Sequence, residues 1–148
     1  ALLESELGHP VIIIPWTPHE DDVYGHSDGF IKWCGDNRIL MGNHGDCYPE
    51  EAASIRRILE SYGFEVTEMR FKDKVSMPCY ELNWAYINFL QVGKNIIMPI
   101  FDIPEDAIAQ QYIQTAFPDC NIRQIEMKEI AKEGGALHCL SWNVYLPK

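Results

Sequence analysis

The sequence predicts an α+β domain made of repeated strand-strand-helix-strand units, for three reasons. A pair of apolar segments around a glycine-containing turn, at residues 30–41, recurs at residues 87–98, and Ile39 and Ile96 are 57 residues apart. Each pair is followed by a proline and two acidic residues, which favour the first turn of a helix. Each predicted helix then leads into a strand-like segment, at residues 64–69 and 122–127.

The two predicted helices begin at Pro49 and Pro104 and each carries an apolar stripe. The first has the i, i+3, i+4, i+7 spacing of an amphipathic helix, and Gly63 follows it where a C-terminal cap is expected. The second has a looser stripe and ends before Pro118. The stripes are Ile55, Ile58, Leu59 and Tyr62 in the first helix, and Ile108, Tyr112 and Ala116 in the second.

The two ends of the chain resemble incomplete copies of the same unit. Residues 1–15 predict a short helix at 2–7 and a strand at 11–14, while residues 136–148 predict the opening strand of another unit. We therefore divide the single domain 1–148 into a partial module 1–15, modules 26–71 and 83–127, and a strand at 136–148. Uncovered edges would then bind a missing segment or a second chain. Alternatively, the terminal pieces pair with each other.

The composition indicates one globular domain and limits the classes of ligand that it is expected to bind. Hydrophobic residues make up 47% of the 148, and a formal charge of −10 argues against nucleic acid and suits a cationic ligand. No apolar run approaches the ~20 residues that span a bilayer, so we expect no membrane partner. Five cysteines without a Cys-x-x-Cys pair favour a reducing, cytoplasmic compartment, although secretion stays open because the chain starts at Ala1.

Cys139 is the strongest candidate for chemistry. It lies four residues after the flexible pair Gly134-Gly135 and precedes an apolar run. This setting is typical of a nucleophilic cysteine that the backbone keeps in a fixed position. A nucleophilic thiol needs a proton carrier and a carboxylate, and His26 and Asp28 stand two residues apart far upstream. On a strand, His138 and Cys139 would face opposite ways, so we expect His138 not to be the base.

The remaining candidates favour structural roles. We expect Cys34, Cys47, Cys79 and Cys120 to be inert, the acidic run 20–22 to be a solvated loop, and His9, His19 and His44 to form no metal site. The four tryptophans fall on or beside predicted strands, which favours the core over a ligand pocket. They are Trp16, Trp33, Trp84 and Trp142.

Several short motifs together resemble the C-terminal part of the bacterial peptidylarginine deiminase and agmatine deiminase family. The motifs are Gly-His-Ser-Asp-Gly-Phe at 25–30, Ala-Tyr-Ile-Asn-Phe-Leu at 85–90 with the hairpin to 99, Ala-Phe-Pro-Asp at 116–119 and Gly-Ala-Leu-His-Cys at 135–139. These guanidine-modifying enzymes have a pentein-type β/α-propeller of five ββαβ modules. The resemblance implies that this chain forms roughly half of such a ring.

The resemblance also implies a role for each candidate residue. By position, Cys139 corresponds to the nucleophile, His26 to the general acid and base, and Asp28 to the carboxylate that binds the substrate guanidinium. Asn88 corresponds to an active-site asparagine of the peptidylarginine branch. The implied substrate is an arginine residue or agmatine, converted to a ureido product without metal or cofactor, and a further family carboxylate lies in the N-terminal half of the ring.

Three other functions stay open from the sequence. An amidinotransferase of the same fold would pass the amidino group to an amine. A non-catalytic half-ring would bind a partner or a second copy through its uncovered edges. A papain-like protease fits less well, because its cysteine opens a helix near the start of the chain, whereas Cys139 lies near the end.

Overall fold

The computed structural model describes residues 2–15, 25–71 and 83–144. The strands are β1 (Ile31–Trp33), β2 (Arg38–Met41), β3 (Glu65–Glu68), β4 (Leu90–Val92), β5 (Asn95–Ile100) and β6 (Asn121–Glu126). The helices are α1 (Leu2–Leu7), α2 (His44–Cys47), α3 (Pro49–Ser61), α4 (Glu105–Ala116) and α5 (Lys128–Ala131). Two 3-10 turns lie at Ser27–Gly29 and Asn83–Ile87. No helix in the described ranges is long and apolar enough to cross a membrane.

The predicted strand-strand-helix-strand repeat is confirmed. The first unit forms a sheet in the order β1-β2-β3 and the second a sheet in the order β4-β5-β6. In each sheet the first pair is an antiparallel hairpin and the second pair is parallel. The parallel pairing follows from the helix, α3 or α4, that carries the chain back to the end of the sheet where β2 or β5 begins, so that the next strand runs in the same direction.

The predicted strands outside this repeat are wrong within the described residues. The chain from 11 to 15 is neither helix nor strand, although α1 does form at Leu2–Leu7. The residues after Ala136 form a turn at 137–140 and no strand up to 144. In the second unit the first strand is Leu90–Val92, because a 3-10 turn takes up the chain to Ile87.

Strand β2 packs between two cores. Ile39 and Met41 contact the smaller core under α3, which contains Ile55 and Leu59. Leu40, on the opposite face of the strand, belongs to the larger core shared with the second unit. Alternating side chains thus bury β2 on both faces and join the two units.

The helix faces agree with the predicted stripes only in part. Ile55 and Leu59 of α3 are buried as expected, whereas Tyr62 is exposed. Gly63 has a φ of +86°, as its predicted capping position requires. In α4 the predicted Ile108, Tyr112 and Ala116 are partly buried against the larger core, while the most buried line is Glu105, Ala109 and Ile113. Asp106, beside this line, accepts hydrogen bonds from the Phe101 and Ile103 N–H groups and from the Tyr86 hydroxyl.

The tryptophan prediction is wrong at two positions. Trp33 is 63% exposed and Trp142 is 87% exposed, so neither belongs to the core. Trp16 and the acidic run 20–22 lie outside the described residues, as does the side chain of Trp84.

We predict that Asp46→Ala destabilises the fold by about 2–3 kcal/mol. The Asp46 carboxylate is fully buried and binds Arg70 Nε at 2.7 Å and the Phe71 N–H at 2.8 Å. Removing it leaves the buried Phe71 N–H without its acceptor. Urea unfolding measures the change, with the exposed Asp119→Ala as the matched control. Equal unfolding free energies in the two variants would contradict the prediction.

Candidate active site

Cys139 lies in a tight turn rather than on the predicted strand. The Leu140 N–H donates to the Ala136 carbonyl at 3.1 Å, and the Ser141 N–H donates to the His138 carbonyl at 3.3 Å. The glycines make this turn possible: Gly134 has a φ of +93°, and a Cβ added to Gly135 would lie 3.2 Å from the Cys139 Cβ. Local hydrogen bonds therefore replace strand pairing at this point.

The buried side chain of Asn88 holds this turn in place. Asn88 Oδ1 accepts the Ala136 N–H at 3.1 Å and the Cys139 N–H at 3.2 Å. The Asn88 backbone carbonyl accepts a third N–H, that of His138, at 2.9 Å. Because backbone N–H groups can only donate, Oδ1 must face the turn. The amide nitrogen Nδ2 therefore points the opposite way.

Asn88 Nδ2 meets Asp28 and the Cys139 thiol. It lies 2.9 Å from Asp28 Oδ2 and 3.2 Å from Cys139 Sγ. The thiol in turn donates to Asp28 Oδ2 at 3.1 Å. Asn88 is fully buried, Cys139 is exposed, and the Asp28 side chain is 32% exposed. A solute can therefore reach the carboxylate and the thiol while the amide holds them from behind.

The pKa values of Asp28 and Cys139 move apart. Burial opposes ionisation of Asp28, but hydrogen bonds from Cys139 and Asn88 outweigh burial and lower the Asp28 pKa. Burial and the Asp28 hydrogen bond raise the pKa of the Cys139 thiol, against the lowering effect of Asn88. The resting site therefore contains a charged carboxylate that accepts a hydrogen bond from a neutral thiol.

Two histidines stand close to Asp28, one in sequence and one in space. His26 is exposed and precedes the 3-10 turn Ser27–Gly29, where its carbonyl accepts the Gly29 N–H at 2.9 Å. His138 Nδ1 lies 3.3 Å from Asp28 Oδ2. The expectation that the His138 and Cys139 side chains face opposite ways is wrong, because both contact Asp28 Oδ2 from a turn, which lacks the alternation of a strand. The expectation that His138 is not the base stays a prediction. The proton-transfer role of His26 stays a prediction.

The other described cysteines are not grouped with Cys139. Cys34 is free and buried, and Cys120 is free and half-buried. Cys47 is disulfide-bonded, so the expectation of reduced cysteines is wrong at this residue. Cys79 lies outside the described residues.

The residues around Cys139, namely Asp28, Asn88 and His138, form the Cys139 cluster, which has no metal-binding arrangement and lies outside the apolar groove of the described chain. Across residues 2–15, 25–71 and 83–144, no group of three or more His, Cys, Asp or Glu side chains is arranged to hold a metal ion. A groove of about 490 Å³ runs between residues 12–14, the first sheet and α3. Its lining includes Ser27 but not Asp28, Asn88 or Cys139.

We predict opposite effects of Asp28→Asn and Asn88→Asp on the reactivity of Cys139. Asp28 raises the thiol pKa, so Asp28→Asn lowers it and gives more thiolate at pH 7.5. Asn88→Asp replaces a donor by a carboxylate, which raises the pKa and reduces the thiolate. Each unit of pKa change alters the iodoacetamide alkylation rate about threefold, after allowing for the weaker nucleophilicity of a less basic thiolate.

Peptide mapping of alkylated Cys139 across pH 6–10 measures these rates. Asp119→Asn, an exposed carboxylate in the turn before β6, is the matched control. An Asp28→Asn profile that overlays the parent profile would show that this carboxylate does not control the thiol.

Comparison with known proteins assigns the chain to a family. Residues 1–144 match the family described as Porphyromonas-type peptidyl-arginine deiminase. The chain is 41% identical over 171 residues to an agmatine deiminase of Pseudomonas putida, covering 95% of this chain and 46% of that protein. It is 39% identical over 171 residues to the agmatine deiminase of Pseudomonas fluorescens, with the same coverage. The chain thus spans about half the length of these relatives.

Solved structures share the fold at lower identity. Agmatine deiminase of C. jejuni matches with a TM-score of 0.71 at 21% identity, covering 93% of this chain and 43% of that one. An amidinotransferase from Microseira wollei matches with a TM-score of 0.53 at 17% identity, covering 93% and 36%. The fold is therefore part of a pentein-type β/α-propeller, as the family resemblance implies. With residues 1–144 matched to its model, this chain belongs to the Porphyromonas-type peptidyl-arginine deiminase family.

Proposed function

We propose that this protein is a deiminase that hydrolyses a C–N bond in the guanidino group of peptidyl-arginine or agmatine. The products are a ureido compound and ammonia. The observation that carries the proposal is the exposed, free Cys139 thiol 3.1 Å from the Asp28 carboxylate, with both held by Asn88. Membership of the family supports the same reaction.

The charged Asp28 is suited to bind the substrate guanidinium. A guanidinium presents several N–H donors in one plane, which match a carboxylate. The bound cation would also offset the negative charge that holds the Cys139 proton in place, so the thiol pKa falls when substrate binds. Formation of the thiolate is thereby coupled to occupancy of the site.

The proposed reaction proceeds through a covalent intermediate. When the substrate is bound, Cys139 gives its proton to His26, and the resulting thiolate attacks the guanidino carbon and forms a C–S bond as a C–N π bond of the guanidinium opens. His26 then donates a proton to one nitrogen and the C–N bond breaks. Ammonia departs, and a thiouronium intermediate remains bound to Cys139. Water gives a proton to His26 and adds to the same carbon. The C–S bond then breaks with its electrons on sulfur, the added hydroxyl loses its proton to solvent, and the neutral ureido product leaves. The thiolate finally takes back a proton from His26, which restores the resting site. No metal or cofactor enters these steps.

An amidinotransferase is the second enzyme candidate, because it shares the fold. In that reaction an amine replaces water in the second half and accepts the amidino group. Ureido product would then be absent and a new guanidino compound would form. Product analysis with and without an added primary amine separates the two reactions.

We predict that Cys139→Ser abolishes turnover while the protein stays folded. Ammonia release and ureido formation are measured with agmatine and with an acylated arginine amide as substrates. Activity falls below about a thousandth of the parent value, because the covalent step is lost. Cys120→Ser is the matched control, since Cys120 is a free thiol outside the cluster. Turnover that persists in Cys139→Ser would remove Cys139 from the mechanism.

The two histidines are compared in the same assay. We expect His26→Ala to lose activity by about 100-fold or more, the usual contribution of a proton-transfer group. A larger loss in His138→Ala than in His26→Ala would assign proton transfer to His138.

We also propose that further protein covers the apolar residues at both ends of the described chain. Helix α1 has no buried residue, and Leu2, Leu7 and Ile13 are exposed. The residues after Cys139 expose Leu140 and Trp142. The covering protein would be the rest of a deiminase ring or, in its absence, a second copy of this chain. A non-catalytic assembly or binding module would use the same surface.

The oligomeric state of the purified protein tests this surface. We predict a molar mass by light scattering that rises with concentration, and a fall towards the monomer in Trp142→Ser and Leu7→Ser. Val92→Ser, which changes an exposed apolar residue of β4, is the matched control. A monomer at every concentration in the parent protein would contradict self-association through these residues.

A further inference from the structure

Lys32 occupies an unusual place for a lysine, on the inward face of β1. In the β1–β2 hairpin it pairs with the fully buried Leu40. Its neighbour Trp33, on the opposite face, is largely exposed, while Cys34, two residues on, is buried. Lysine is rarely placed inward unless a partner compensates for the lost hydration. The position of Lys32 therefore requires a physical reason.

The Lys32 ammonium reaches across to the second unit, one residue from Asn88. Its Nζ donates to the Phe89 carbonyl at 3.3 Å. The same atom lies 4.8 Å from the centre of the Phe89 ring, a favourable cation–π distance. Phe89 is itself fully buried and packs edge-on against Phe117. Lys32 thus ties β1 to the backbone that carries Asn88.

Two residues of the candidate site, Asp28 and Cys139, act electrostatically on Lys32. Burial lowers the Lys32 pKa, while the negative charges of Asp28, Cys139 and Cys34 raise it. A Coulombic interaction acts on both partners, so the ammonium favours the charged carboxylate and the thiolate in return, beside the larger effects of burial, Asp28 and Asn88 on the thiol pKa. The other titratable groups next to Cys139 are Asp28, on the 3-10 turn that follows His26, and His138, which contacts Asp28.

We propose that Lys32 is a positioning residue of the Cys139 site, which holds the Asn88–Phe89 backbone and supplies a fixed positive charge that favours the thiolate. It touches neither the thiol nor the carboxylate in the contacts described above, so it acts through the backbone and through its charge. This inference adds to the proposed deiminase reaction, which assigns Lys32 no role.

Three substitutions separate the charge of Lys32 from its hydrogen bond. Lys32→Met keeps the apolar stem and removes both the charge and the donor. Lys32→Gln removes the charge but keeps a donor for the Phe89 carbonyl. Lys32→Arg keeps the charge and the donor. The readout is the pH profile of Cys139 alkylation by iodoacetamide, with the labelled peptide mapped and folding checked by circular dichroism.

Loss of the charge raises the thiol pKa, so less thiolate is present at pH 7.5. We expect the alkylation rate in Lys32→Met and Lys32→Gln to fall about threefold for each unit by which the thiol pKa rises. Lys32→Arg should keep most of the parent rate. Lys94→Met, an exposed lysine in the β4–β5 turn, is the matched control and should leave the profile unchanged.

Two outcomes would overturn the proposal. One is an unchanged profile in a folded Lys32→Gln protein, which is decisive even if Lys32→Met fails to fold. The other is an equal fall in Lys32→Arg and Lys32→Gln, because the charge would then not be the cause.

The alkylation assay also separates this inference from the proposed function, because iodoacetamide is neutral and needs no guanidinium site. A shifted alkylation profile in the Lys32 variants, without guanidine turnover in the parent protein, would support the positioning role of Lys32 and contradict the proposed deiminase reaction. Guanidine turnover in the parent protein, together with an unshifted alkylation profile in the Lys32 variants, would support the deiminase and contradict the role of Lys32.

Discussion

The site depends on one buried amide, that of Asn88. Its oxygen accepts two N–H groups of the turn around Cys139, and its nitrogen contacts Asp28 and the thiol. Its backbone carbonyl accepts the N–H of His138. A buried amide with so many partners has one stable orientation, since any rotation leaves polar groups without hydrogen bonds. The amide therefore fixes the relative positions of three chain segments that are far apart in sequence.

The residues around Cys139 act on its thiol pKa in two opposite directions. The Asp28 carboxylate and burial favour the protonated thiol, whereas the Asn88 amide favours the thiolate. A thiol held protonated in the resting site is protected from oxidation, which proceeds from the thiolate. For the proposed reaction, a guanidinium at Asp28 would shift this balance by offsetting the carboxylate charge. The same carboxylate would then serve both recognition and control of the nucleophile.

The packing of the two units explains how these groups meet. Strand β2 contributes Leu40 to the shared core and Ile39 and Met41 to the core under α3. The first unit thus lies directly against the second, and the turn that carries Asp28 reaches Asn88. Further links cross the same boundary: Lys32 donates to the Phe89 carbonyl, and Arg38 Nη1 donates to the Ala116 carbonyl at 3.3 Å. The site lies where the two repeats join.

The sequence by itself determined the repeated units, because periodic apolar residues and the glycine and proline signals at Gly63 and Pro49 are local. It also singled out Cys139 and Asp28, while Asn88 entered through family resemblance alone. Only the tertiary structure decided that residues 137–140 form a turn, that His138 contacts Asp28, and that Lys32 reaches Phe89. Each of these depends on hydrogen bonds between residues more than 45 positions apart or on the local geometry they impose. Such long-range contacts leave no periodic trace along the chain.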